Sequence, residues 1–422
     1  MLNRCTFLRV GLVCICAASF SSCDKEAELS SLEKDLALNE TNAQSAISAL
    51  SPKAQLGKLI FFDANLSESG NGAVLVQSCA SCHMPSQGFA GFSDRDLGMI
   101  PRGFVAGFAE GAVTGKIGGR KAPSAAYATF SPILRAESDP GKPGEPKFIG
   151  GMFWDGRATG KRLGSPAAEQ ALGPFLNPVE ENLHDARAVL ERIKQDRYII
   201  YGTLWQQVWG SPISTATQRD IDLNYDRVGL SIAAFEASNE VNKFSSKFDR
   251  YLKKQAVLTS SEANGFALFT GQGDCNRCHS EKSINGTPPL FTDFSYYNIG
   301  TPKNNSSAAP SSIDYGLGGF LQKLGPANPW YTQAGKNMGK FKTPTLRNVA
   351  KGASNKRFMH NGAFRTLEEV VHFYNTRDEP GAGWPAPEVG MNVSDESRLG
   401  RLRLTSSEEA DLVAFMKTLS DD

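Results

Sequence analysis

Histidine and spare cysteine are what this sequence has least of. Its 422 residues contain five histidines, His83, His184, His279, His360 and His372. Eight cysteines occur, but Cys5, Cys14, Cys16 and Cys23 fall within the first 23 residues. Cys79, Cys82, Cys275 and Cys278 remain, as two C-x-x-C pairs, and no further cysteine is left for a structural disulfide. An excess of one charge is missing too. Lys+Arg at 45 against Asp+Glu at 44 leaves a formal charge of +1, which gives no electrostatic footprint for nucleic acid. The marked apolar run, "VGLVCICAA" at 10–18, is too short to span a bilayer.

That run follows Arg4 and Arg9, and it fits the h-region of a secretory signal. The small residues of "SFSSC" resemble a bacterial lipoprotein processing site. Residues 1–23 are therefore expected to be a lipoprotein-type signal, with Cys23 the lipidated first residue of an exported chain. That chain would be periplasmic or anchored to the outer membrane by lipid alone. Ordinary signal cleavage nearby is the alternative. Residues 24–50 are polar and read as a flexible tether.

Each remaining C-x-x-C is followed at once by histidine, in "CASCH" (79–83) and "CNRCH" (275–279). Such a pair alone suits redox chemistry or half a zinc site, and four cysteines could close one zinc site. The adjacent histidine favours a different chemistry. In c-type haem attachment two thioethers tether the porphyrin while that histidine binds iron. Two such matches in an exported chain predict two covalent c-type haems, on His83 and His279. No histidine lies between His83 and His184, so the Gly-rich stretch 88–119 has no imidazole to offer as a sixth ligand.

Around these sites the chain is predicted mostly helical. Helices are expected over 51–62, 184–210, 224–241 and 404–419. Another, starting at Thr259 with Glu262 completing a capping box, leads into the second haem site. Thr405 or Ser406 caps the closing helix, and Met416 within it reads as a core residue. Gly and Pro are dense over 88–156, predicting loops that wrap a cofactor. Helix, CxxCH, loops and helices occur twice. The expected fold is two cytochrome c-like haem domains, 51–222 and 223–422, with long connecting loops. The C-terminal helix is expected to pack back on the first domain.

From about Gln55 to its end the sequence resembles the bacterial diheme cytochrome c peroxidase superfamily, including its MauG-like, protein-cofactor-maturing branch. The resemblance rests on "LGKLIFFDANLS" (56–67), "SCASCHMPSQGFAGFSD" (78–94), "FWDGRA" (153–158) and "EQALGPFLNPVE" (169–180). It continues in "LFTDFSYYNIG" (290–300), "KFKTPTLRNVA" (340–350) and "FMHNGAFRTLEEVVHFYN" (358–375). It implies that the haem on His83 reacts with hydrogen peroxide, with Gln170, Pro174 and Glu180 on its distal side. Glu180 would be the acid–base group. Trp154 would relay electrons or holes, the haem on His279 would transfer electrons, and a calcium ion would bridge the domains. Arg157 could pair with a haem propionate or with Asp155.

The chain also departs from the family pattern. Peroxidases that need reductive activation place a distal histidine in the first-haem loop, where none stands here. "GRKAPS" has Lys121 where the family usually has Asn at the calcium site, and the stretch from Arg347 to His360 is about three residues longer than usual. In "TLEEVVHFYN", Leu367, Val370, Val371 and Tyr374 fall on one helical face, and periodicity alone reads Tyr374 as core. By resemblance, however, Tyr374 stands fourteen residues after His360, where activation-dependent peroxidases carry an axial Met and MauG-like enzymes a Tyr.

A Tyr374 phenolate would lower the potential of the second haem and favour its ferric and higher states. The expected activity is therefore peroxide-driven formation of a high-valent two-haem state that oxidises an aromatic residue of a partner protein. One alternative is a cytochrome-c peroxidase that draws electrons from a small cytochrome or copper protein. Another is a pure electron-transfer or sensing protein, which would have no use for Gln170 and Glu180.

Overall fold

The structure is a computed structural model that describes residues 50–70, 77–92, 104–139, 145–195, 200–284, 286–394 and 398–422. The signal, Cys23 and nearly all of the tether lie outside the described residues. Residues Pro52–Asp422 form one compact unit. No helix among the described residues is long and apolar enough to cross a membrane.

In the first half, α1 (Pro52–Phe62) runs toward the one-turn α2 (Cys79–Cys82). Next come α3 (Pro166–Leu172), α4 (Ala186–Lys194), α5 (Ile200–Trp209) and α6 (Gln218–Glu236). The stretch expected as helix over 184–210 is thus two described helices, with 196–199 outside the description. Asp185 caps α4 by accepting the Ala188 amide at 2.8 Å. Helix α6 begins earlier than expected because Thr217 and Asp220 form a capping box there. It stops at Glu236, whose carbonyl accepts from the Asn242 amide side chain at 2.8 Å.

The second half contains α7 (Lys247–Leu252), α8 (Ser260–Thr270), α9 (Gly316–Lys323), α10 (Leu367–Thr376) and α11 (Ser406–Lys417). Capping boxes at Thr259–Glu262 and Thr405–Glu408 start α8 and α11. A glycine sets the main helix crossing in each half. A Cβ on Gly57 of α1 would lie 1.8 Å from the Ser231 carbonyl oxygen of α6. One on Gly265 of α8 would lie 1.9 Å from that of Asp411 in α11. Only glycine permits backbones to approach so closely.

Strands are few among the described residues: three two-stranded antiparallel ribbons. They pair Phe104–Val105 with Phe108–Ala109, Arg135–Ser138 with Pro146–Ile149, and Tyr296–Tyr297 with Phe341–Lys342. The second-half core gathers Phe248, Phe269, Phe291, Phe373 and Phe415, with Met416 buried among them. Helix α11 packs on α8 and α10, while Asp421 beyond it accepts the Tyr127 hydroxyl at 2.6 Å. A buried bidentate ion pair, Arg347 with Asp249 at 2.8 and 2.9 Å, locks "TLRN" to α7.

Candidate active site: two cavities and the wall between them

The two CxxCH turns are built alike. The His83 amide closes the first turn on the Cys79 carbonyl at 2.8 Å, and the His279 amide closes the second on that of Cys275 at 2.9 Å. His83 Nδ1 lies 3.2 Å from the Phe89 carbonyl oxygen, and His279 Nδ1 lies 2.9 Å from that of Phe291. Both phenylalanines have positive φ, 57° and 53°, which turns their carbonyls toward the imidazoles. A ring that donates from Nδ1 keeps the Nε2 lone pair for a metal. Burial lowers the pKa of both imidazoles, which keeps them neutral and able to ligate.

Cys79, Cys82 and His83 line a cavity of about 410 Å³, together with Gln170, Pro174 and Glu180. The Asn177 amide donates to Glu180 Oε2 at 2.9 Å. Burial raises the Glu180 pKa above the ordinary 4.5, against the opposing pull of Asn177 and Arg157. Among the further carboxyls that line this cavity, Glu181 and Glu236 are buried and escaped sequence reasoning. Glu181 is 3% exposed and lies 3.8 Å from Cys79 Sγ. Its burial, with Glu180 beside it, pushes its carboxyl well above the usual range. Glu236, at the end of α6, is pushed up to about 8 by burial. Its place in the apolar run "SIAAFEA" was the available signal.

Cys275, Cys278 and His279 line a second cavity of about 810 Å³. The expected face of α10, Leu367, Val370, Val371 and Tyr374, lines it as well, joined by Leu412 and Met416 of α11. Burial raises the phenol pKa of Tyr374, so a metal would have to displace its proton to bind there. The start of α10 departs from the capping box that its Thr-x-x-Glu spacing, Thr366 to Glu369, would form. Thr366 accepts the Glu369 amide, but Glu369 Oε2 reaches the Arg365 amide at 2.7 Å, one residue before the cap. His372 faces outward, 3.0 Å from Glu409. His360 is buried, stacked on Phe341 at 3.4 Å and 3.9 Å from Glu388.

Trp154 lines both cavities. Its Nε1 donates to the Lys121 carbonyl at 2.8 Å, and its own carbonyl accepts the Lys342 amide at 2.9 Å. Arg157 pairs with Asp155 at 2.9 Å, which Arg120 also meets at 2.7 Å.

These residues fit c-type haem. Each cavity offers two thiols one turn apart, a neutral imidazole with Nε2 free, and largely apolar walls. Burial and nearby acidic groups push the Cys82 and Cys275 thiols up to about 12. The two pairs line different cavities, so they do not close the single zinc site that their number allowed.

A family model described as di-haem cytochrome c peroxidase matches residues 51–257. The methylamine utilization protein MauG of Paracoccus denitrificans is 32% identical over 383 residues, covering 87% of this chain and 88% of the relative. The cytochrome-c peroxidase IdrP2 of Denitromonas iodatirespirans is 28% identical, covering 98% of this chain and 90% of its own. Among solved structures, a tyrosine-to-methionine variant of the diheme peroxidase BthA from Burkholderia thailandensis superposes with a TM-score of 0.72 at 32% identity. It covers 88% of this chain and 86% of the other.

Proposed function

The chain belongs to the diheme cytochrome c peroxidase and MauG superfamily, and from that premise we propose that it reduces hydrogen peroxide in the His83 cavity with electrons received through the His279 cavity. Membership makes it an oxidoreductase with two covalent c-type haems. When bound, the haems supply the peroxide-cleaving iron and the redox couple that feeds it. His83 would hold the first from Nε2, and His279 with Tyr374 would hold the second.

The observation that carries this reading is the contrast between the cavities, with the buried, raised-pKa carboxyls Glu180, Glu181 and Glu236 in one and Tyr374 in the other, and Trp154 lining both. Cleaving peroxide requires a proton to move from one oxygen to the other, so that the departing oxygen leaves as water. Glu180, with its raised pKa and the Asn177 donor behind it, suits that shuttle. Gln170 offers an amide donor to the negative charge that develops on oxygen. Pro174 opens the short turn that follows α3 and leads to Asn177. Two electrons and two protons complete the reduction of one peroxide to two waters, the electrons coming from a small cytochrome or copper protein.

A second reading is favoured by Tyr374. A phenolate ligand would hold the second haem at low potential, making it a poor acceptor from a high-potential donor. Oxidising equivalents would then be discharged onto an aromatic residue of a partner protein. The two readings part in a stopped-flow experiment, in which the diferric holoenzyme meets peroxide and then a reduced small cytochrome. Rapid multiple turnover of the cytochrome is the expected result. Slow oxidation of the cytochrome, with a long-lived peroxide product, would overturn the first reading in favour of the second.

A further inference from the structure

A third cavity, of about 140 Å³, lies against Trp154 and shares Lys121 with the first cavity and Lys342 with the second. Lys356 also lines it, as do Arg347 and Arg357, and no Asp or Glu is among its lining residues. Arg347 is already paired with Asp249. The three lysines are held by neutral oxygens. Lys121 Nζ lies 3.3 Å from the Ala122 carbonyl oxygen, Lys342 Nζ 2.7 Å from that of Gly151, and Lys356 Nζ 2.8 Å from that of Asn348. None of the three forms an ion pair among the described residues.

Burying an ammonium without a counter-anion is unfavourable. Burial pulls Lys121 down to about 8 and Lys342, against the pull of Asp293, to about 7, and burial with Lys121 and Lys351 nearby holds Lys356 well below the usual lysine range. Such a cluster persists where an anion arrives to pair with it. Two haems bring carboxylates of their own, and each neighbouring haem cavity opens onto one of these lysines. Two sequence departures also meet here. Lys121 replaces the Asn implied at a calcium site, and Lys356 stands in the lengthened stretch before His360. Calcium prefers oxygen donors and gains nothing from an ammonium beside it.

We infer that Lys121, Lys342 and Lys356 form a carboxylate-binding site in the wall between the haem cavities. It receives the porphyrin propionates and supplies the positive charge that a divalent cation would otherwise bring. The inference rests on two-haem loading and not on the proposed reaction, so either can fail without the other.

The test uses the holoenzyme. After treatment with EGTA and desalting, elemental analysis is expected to find no calcium, with ferric spectra and midpoint potentials unchanged. One calcium per chain, whose removal alters the spectra, would overturn the proposal. Replacing a fixed cation by a neutral group disfavours the reduced haem. Lys121→Asn is therefore expected to lower the midpoint potential of a haem, while Lys121→Arg holds it near the parent value. A doubly loaded Lys121→Asn protein with unaltered potentials would contradict the assignment. Should that variant fail to fold, Lys356→Gln is read by the same titration with the same two outcomes.

Discussion

In both halves of the molecule an imidazole follows a C-x-x-C turn and is oriented by a phenylalanine carbonyl, yet the space in front of each imidazole differs. Glu180, Glu181 and Glu236 line the cavity of His83, all with carboxyl pKa values raised by burial. Tyr374, Met416 and aliphatic side chains of α10 and α11 line the cavity of His279. On the proposed reading, a repeated attachment motif fixes where a haem goes and the other lining residues determine what it does. Proton chemistry would then belong to the first half and tuning of the redox couple to the second.

The largest effect should come from removing the proton shuttle. Glu180→Gln keeps the size of the side chain and is expected to slow the reaction with peroxide by about 10²–10⁴-fold in stopped-flow, with both haems still attached. A matching loss in Tyr374→Phe would erase the division between the cavities. Breaking the lock of the second half comes next. Asp249→Ala leaves buried Arg347 unpaired and should cost about 3–5 kcal/mol in denaturant unfolding.

The pH dependence has a defined sign. Glu180 takes a proton only when ionised, and burial raises its pKa above 4.5. The peroxide rate should therefore rise with pH through an inflection above the ordinary glutamate value. It should fall as acid protonates the carboxyl, and Glu180→Gln should lack that inflection. The smallest effect is expected at His372, an exposed residue of α10 that pairs with Glu409 of α11. His372→Ala should change stability by less than about 1 kcal/mol and leave the haem spectra unaltered.

Much of this contrast could be read along the chain. Local signals placed α1, α8 and α11, because a helix-starting proline or a Thr-x-x-Glu box acts within a few residues. Periodicity grouped Leu367, Val370, Val371 and Tyr374 correctly, but only their common cavity shows what the face turns toward. The early start of α6 was missed because Thr217 and Asp220 lie in polar text that resembles a loop. Glu236 left one trace, its place in the apolar run "SIAAFEA", whereas Glu181 left none, since its burial depends on elements distant in sequence. The same holds for Lys121 and Lys356, two separate oddities in sequence that share one small cavity in the fold.

Iron ligation by Tyr374 is what would most sharply distinguish the second cavity from the first. Magnetic circular dichroism of the diferric holoenzyme, compared with its Tyr374→Phe variant, tests that most directly. One haem should lose the signature of an anionic oxygen ligand while the other, on His83, stays as it was. A low-spin ferric spectrum unchanged by Tyr374→Phe would contradict the claim and return Tyr374 to the core.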